Sequence, residues 1–154
     1  MPITQANDGY NNRLLLVEGE EDRHFIGHFV TAHNLQGMFT IESVGGVEKL
    51  LRSIPTRVKA DLGEYLGILV DADETIGARW QSIRDKLVLA GYTDLPEKPF
   101  PEGMILQQTE LPRLGVWMMP NNEIGGKLED FIEFLIPPDT VSQGLWRQAK
   151  SCTV

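Results

Sequence analysis

LLLVEGEED, residues 14–22, changes character halfway along: four apolar residues are followed by Glu18, Glu20, Glu21 and Asp22 within five positions. An apolar residue at every position of a short run is the pattern of a strand covered on both faces, as in a parallel sheet. LGILVDADE, residues 66–74, repeats the arrangement, with a buried-strand run and then Asp71 and Asp73. Phe39–Val44 and Val116–Met119 supply two further expected strands. The intervening stretches have helical spacing. Phe25, Ile26, Phe29 and Val30 recur on one side, with Asn34 and Gly37 as a stop. Gly45 and Gly46 turn the chain into VEKLLRSI, which Pro55 is expected to interrupt. TIGARWQSIRDKLVLAGY places Ile76, Trp80, Ile83, Leu87 and Leu89 mostly along one side and ends near Gly91.

Strand and helix therefore alternate, which predicts a compact α/β domain: a mostly parallel, four-stranded sheet flanked by helices and joined by right-handed crossovers. Residues 1–13 read as a polar amino-terminal segment, 14–136 as the single domain and 137–154 as a carboxyl-terminal tail. Within the domain, Pro96, Pro99 and Pro101 make residues 94–103 a surface loop. Beyond it, MILQQTEL and LGVWMMP read as a small hairpin-like addition joined through Pro112. GKLEDFIEFLI then forms a short helix ended by Pro137 and Pro138.

A chain of 154 residues can bury one core. No apolar run approaches membrane-spanning length, so no membrane partner is expected. MPITQANDGYNNR lacks the apolar segment of a signal peptide, and the expected location is the cytoplasm. The lone Cys152 fits that location as a free surface thiol. Fourteen basic against 22 acidic residues give a net charge of −8, which argues against a simple DNA-binding module. It argues less against a metal enzyme, whose acidic ligands are neutralised by the cation.

Ligands of open parallel sheets bind beyond the carboxyl ends of the strands. Glu18 stands at that end of the first strand, Asp71 and Asp73 at that end of the third. If the extended conformation persists past Val70, the two aspartates share a face, and Asp22 leans back from the first helix over the same crevice. Two unit charges about 4 Å apart repel by roughly 4 kcal/mol at an effective dielectric of about 20, so such a cluster requires protons or cations. Carboxylates without histidine or cysteine favour Mg²⁺ or Mn²⁺, and two such ions make a site for phosphodiester cleavage.

VEGEED after one strand and VDADE after a later one resemble the TOPRIM domain, shared by topoisomerases, bacterial primases, small repair proteins and OLD-type nucleases. Its pattern is a glutamate followed by glycine after the first strand, here Glu18 and Gly19, and an Asp-x-Asp pair after the third, here Asp71 and Asp73. OLD-type nucleases carry a second acid four residues after the glutamate, the place of Asp22. Gly45 and Gly46 fall where such domains turn from second strand to second helix. WMMPNNEIGGKLEDF is similar to a segment of a TOPRIM-like family of uncharacterised prokaryotic proteins. That likeness implies a further polar cluster of Asn122, Glu129 and Asp130 near the metals, and Lys127, just before Glu129, is a candidate to stabilise a phosphate there. The resemblance runs from about Leu14 to Phe134 and implies a TOPRIM/Rossmann-like fold. Neither a topoisomerase tyrosine context nor a primase zinc module accompanies it.

The expected function is accordingly Mg²⁺- or Mn²⁺-dependent phosphodiester chemistry, as a nuclease acting on nucleic acid. Glu18 is its base or metal ligand, Asp71 and Asp73 are metal ligands, and Asp22 holds a second ion. The alternative is a non-catalytic TOPRIM-like metal-binding or regulatory module with a partner protein or a second copy of itself. A third reading, phosphoryl transfer through an aspartate nucleophile, is weaker because the first strand ends in Glu18. Plainer roles suit the remaining features. Glu20 and Glu21 favour a helix amino terminus, His24 and His28 lie on a helix surface, and Trp80 and Trp117 fill core. Lys127 suits a solvated helix start better than a phosphate contact, and Asn122 suits a turn and a site equally.

Overall fold

A computed structural model of the chain describes residues 13–60, 64–137, 139, 144–145 and 147–148. The amino-terminal segment up to residue 12, Pro138, most of the tail and Cys152 lie outside the described residues. Among the described residues nine elements follow in order: β1 (Arg13–Val17), α1 (Glu20–Ala32), β2 (Thr40–Ser43), α2 (Val47–Lys59), β3 (Tyr65–Asp71), α3 (Ile76–Ala90), β4 (Met104–Leu106), β5 (Arg113–Met119) and α4 (Leu128–Leu135). The protein is α/β, with one five-stranded sheet in the order β2-β1-β3-β5-β4.

Only β4 runs antiparallel. The expected hairpin is present as β4 and β5, but it is not an appendage, and the sheet has five strands where the sequence suggested four plus an addition. The reason is the composition of β5: Leu114, Val116, Met118 and Met119 are all buried. A strand apolar toward both layers belongs inside a sheet, and β5 pairs with β3 from Tyr65↔Arg113 to Asp71↔Met119.

Alternation along the strands divides the core between two layers. Leu16, Leu66, Ile68, Val70, Leu114, Val116 and Met118 pack with Leu50, Ile54 and Val58 of α2 and with Trp80, Ile83 and Leu87 of α3. Val17, Leu69 and Met119 face the other way, against Ile26 and Val30 of α1 and Leu128 of α4. Phe25 and Phe131 meet edge-on at 6.1 Å, joining α1 to α4.

Two helix expectations change. Pro55 lies inside α2 rather than ending it. The helix keeps its course because Leu50, Ile54 and Val58 form one buried stripe across the proline, and burying each such side chain contributes about 1.5–3 kcal/mol. Leu89 is 62% exposed, since it follows the buried Leu87 by about 200° of helical turn. Ala90 takes the core position instead, and Gly91, at φ 105°, closes α3 in the left-handed conformation.

The proline-rich loop is anchored on the surface. Trp80 Nε1 donates to the Pro96 carbonyl at 2.9 Å, and Leu95 is buried. Trp80 is core as expected, and Trp117 is partly buried against the second layer. No helix among the described residues is long and apolar enough to cross a membrane.

Candidate functional site

The carboxyl ends of β1 and β3 are adjacent because the two strands pair in register, Val17 opposite Leu69. Glu18, one residue past β1, and Asp71, the last residue of β3, are therefore brought side by side. Glu18 is fixed at both ends. Its backbone carbonyl accepts from the amides of Gly45 (2.8 Å) and Gly46 (2.7 Å), and its Oε1 accepts from the Asp71 amide at 2.7 Å. The two glycines sit at φ 91° and 121°, conformations that L side chains resist, which is why this turn can aim two consecutive N–H groups at one carbonyl.

Asp22 lies in the first turn of α1, and its Oδ2 reaches back to accept from the Gly19 amide at 3.0 Å. Asp71 Oδ1 accepts from the Leu128 amide at 2.9 Å, tying β3 to the start of α4. Each of the three carboxylates thus commits one oxygen to a backbone donor, and none pairs with a cation among the described residues. The consequence is electrostatic. Burial raises Glu18, the Asp71 amide partly offsets it, the charges of Asp22 and Asp73 push it further up, and the Arg79 charge acts against them. Burial also raises Asp22 against the lowering hydrogen bond from Gly19, with Glu129 and Glu21 adding to the rise. Asp71 is pushed up to about 7 by burial and then by Glu18 and Asp22.

Asp73 is placed differently. The strand ends at Asp71, and Asp73 adopts φ 57°, so the shared face expected from continued extension is lost. Its Oδ2 receives a hydrogen bond from an Arg79 terminal nitrogen at 2.5 Å, while its amide donates to the Gly126 carbonyl at 2.8 Å. Arg79 Nε also donates to the Asp71 carbonyl at 2.9 Å, so one guanidinium spans both aspartates of the Asp-x-Asp pair. Spacing alone did not single out Arg79. The available signal is its position one turn into the helix that follows the pair, where a long side chain leans back over the strand end.

The four residues of the expected second cluster separate. Asn122 is fully buried; its Oδ1 accepts from the Met118 amide at 3.0 Å and its Nδ2 donates to the Phe100 carbonyl. It holds the proline-rich loop to β5. Asn122→Ala is expected to lower the unfolding free energy by about 1–3 kcal/mol, read from urea denaturation, because the buried Met118 amide and the partly buried Phe100 carbonyl lose their partner. Asp130 accepts from the Lys127 amide at 2.9 Å and so caps the start of α4. Lys127 and Glu129 are exposed, and Glu129 reaches the site through its charge on Asp22. Glu20 pairs with Ser43 and with Arg23 at 3.0 Å, which hold its carboxyl below the usual range. His24 and His28 are exposed on α1.

Beside the carboxylates opens a cleft of about 720 Å³, whose charged lining is Asp73, Glu74, Arg79, Lys127 and Asp130. Among the described residues, no three His, Cys, Asp or Glu side chains already surround a single point as metal ligands. The donor chemistry nonetheless suits a hard cation. Glu18, Asp22 and Asp71 are oxygen donors only, they repel one another, and each has an oxygen beyond the one bonded to backbone.

The model of one protein family, described as Protein of unknown function (DUF3226), matches residues 12–154. Comparison with curated proteins and with solved structures gives no match.

Proposed function

The chain belongs to the DUF3226 family, and for it we propose a TOPRIM-like, divalent-cation-dependent phosphodiester chemistry, as a nuclease acting on nucleic acid. The observation that carries the reading is the group of Glu18, Asp22 and Asp71 at and just beyond the carboxyl ends of adjacent parallel strands, three partly buried carboxylates each raised chiefly by burial, with Asp71 raised further by the charges of Glu18 and Asp22. Acids perturbed by burial and by specific charges in a crevice are candidates for a functional site. The order of Glu18–Gly19 after β1 and Asp-x-Asp at the end of β3 supports a TOPRIM/Rossmann-like version of the α/β fold.

In this reading Glu18, Asp22 and Asp71 hold Mg²⁺ or Mn²⁺. The bound ion would offset most of the cluster's charge and polarise a phosphate oxygen. Glu18 orients its carboxylate through the Asp71 amide, which leaves Oε2 to accept a proton or ligand the ion. Lys127 borders the neighbouring cleft, whose other charged lining is Asp73, Glu74, Asp130 and the Arg79 already paired with Asp73.

The direct test uses purified protein with labelled single-stranded and double-stranded DNA and RNA, in Mn²⁺ or Mg²⁺ and in EDTA. Cleavage confined to the metal-containing reactions is the expected result. Absence of cleavage in every arm rejects the nuclease. The net charge of −8 favours a second reading, a non-catalytic cation-binding module with a protein partner. Calorimetry separates the two, since the module binds Mg²⁺ tightly and shows no affinity for nucleic acid at low salt.

A further inference from the structure

We propose that the sheet face shared with α1 and α4 carries, at the amino ends of its strands, a docking site for an acidic segment of a partner protein. The segment seats an apolar side chain over Gly115 and sets carboxylates against Arg13 and Arg113. This site lies at the opposite end of the strands from Glu18 and Asp71, so it stands apart from the cation chemistry.

Strand register builds it. Leu15, Gly67, Gly115 and Ile105 are partners across β1, β3, β5 and β4 and form one row. Their neighbours Leu66, Ile68, Leu114 and Val116 pack with α2 and α3, so the row faces the other layer. There α1 and α4 cover Val17, Leu69 and Met119, nearer the carboxyl ends, whereas Ile105 stays 67% exposed. The paired glycines leave a trough of about 470 Å³, walled by Leu15, Phe39 and Ile105. Glycine inside a strand forgoes packing and often marks a place where a ligand or another backbone comes close. Gly67 has an internal reason, since an added Cβ would stand 2.8 Å from Leu15 Cδ1. Gly115 has none among the described residues: beyond its chain neighbours, the nearest atom to an added Cβ is the Met104 carbonyl oxygen at 4.0 Å.

Charge identifies the occupant. Arg13, Tyr65 and Arg113 form the next row on the same face, at the rim. Arg13 stacks on the Tyr65 ring at 5.1 Å, and among the described residues neither arginine pairs with a carboxylate. The lining contains no Asp or Glu, although the chain has 22 acidic residues. Two unpaired guanidiniums beside an apolar trough match an apolar side chain flanked by carboxylates, which arginine binds bidentately. A second copy fits poorly, because a two-fold contact centred here brings the arginines of both copies together. Residues 140–154 include Arg147 and Lys150 and no Asp or Glu, so they lack the matching charge. Nucleic acid is repelled at long range by the net charge of −8.

Selection of a phage-displayed random peptide library on the full chain at low salt tests the proposal. The enriched peptides are expected to carry an apolar residue flanked by Asp or Glu. A synthetic peptide of the enriched sequence is then titrated by fluorescence polarisation against wild type, Gly115→Val and the Arg13→Gln, Arg113→Gln double variant. Valine suits a strand and fills the trough from within, so Gly115→Val should melt at or above the wild-type temperature. Each variant should bind at least about tenfold more weakly than wild type, and wild-type affinity should fall as NaCl is added. The arginines are exposed, so the double variant reads the same loss if Gly115→Val fails to fold. An empty selection, a neutral or basic consensus, or an unchanged affinity in either folded variant overturns the proposal. So does a wild-type dimer in sedimentation that Gly115→Val dissociates, which gives the trough to a second copy. A labelled single-stranded oligonucleotide that binds wild type but not Gly115→Val gives it to nucleic acid and overturns the proposal likewise. Each of these outcomes leaves the cation reading untouched.

Discussion

The Glu18→Gln protein is expected to melt at or slightly above the wild-type temperature and to lose cation-dependent cleavage by about 10²–10⁴-fold. The two halves of this result come from different atoms of one side chain. Oε1 accepts from the Asp71 amide at 2.7 Å, and the glutamine carbonyl oxygen can accept that bond unchanged, so the junction between β1 and β3 survives. The Glu18 main chain, which receives the Gly45 and Gly46 amides, is untouched. What disappears is a negative charge and a basic oxygen. Loss of the charge relieves Asp22 and Asp71 of a like-charged neighbour, which removes part of the cluster's affinity for a cation. Loss of the oxygen removes the proposed base. The measurement is a cleavage time course in Mn²⁺ beside a thermal melt. A Glu18→Gln protein that cleaves as well as the wild type removes Glu18 from the chemistry, and one that fails to fold shows the residue to be structural.

The sequence made the positions of Glu18 and Asp71 legible because both depend on one inference, that two fully apolar runs are neighbouring parallel strands. Once LLLV and LGILV are paired, the acids that follow them must meet. Asp22 was legible through helical geometry, one turn into α1. Asp73 was not, because its placement depends on where extension stops. The left-handed turn at Asp73 is enforced by the Gly125–Gly126 junction more than fifty residues later, and no local pattern announces that contact. Asn122 shows the same limit from the other side: its type and turn context suit a site, but burial commits both ends of its amide to backbone. The backbone donors of Gly19, Asp71 and Leu128 leave no mark in residue type at all. The place of β5 inside the sheet was legible in part, since its run of buried residues was visible while its hairpin with β4 suggested an addition.

Asp71→Asn is expected to stabilise the folded chain at pH 8 and to abolish its response to cations. Asp71 binds its proton with a pKa of about 7 when folded, against 3.8 as the ordinary value. Between those values the folded chain keeps a proton that the unfolded chain has released, so stability falls as pH rises through this window and levels off above about 7. Glu18 and Asp22 are shifted in the same direction and steepen the decline. Three pH units correspond to about 4 kcal/mol at 1.36 kcal/mol per unit, and roughly half survives screening of a partly exposed carboxyl. The asparagine keeps an oxygen for the Leu128 amide, so the tie from β3 to α4 persists while the uncompensated charge goes. The variant should gain about 2 kcal/mol at pH 8, a rise in melting temperature of about 4–8 °C for a chain of this size. Its stability should also vary less between pH 5, inside this window, and pH 8, above it, than that of the wild type, by the same linkage. Saturating Mg²⁺ or Mn²⁺ works in the opposite sense on the wild type. A ligand at about 100 times its Kd adds about 2.7 kcal/mol, which should recover at pH 8 what the charge cluster costs. The same addition should leave Asp71→Asn nearly unmoved. Melts at pH 5 and pH 8, with and without MgCl₂, decide the matter. A wild-type protein that grows more stable from pH 5 to pH 8 contradicts the electrostatic account of the cluster. A cation shift equal in wild type and variant places the ion elsewhere.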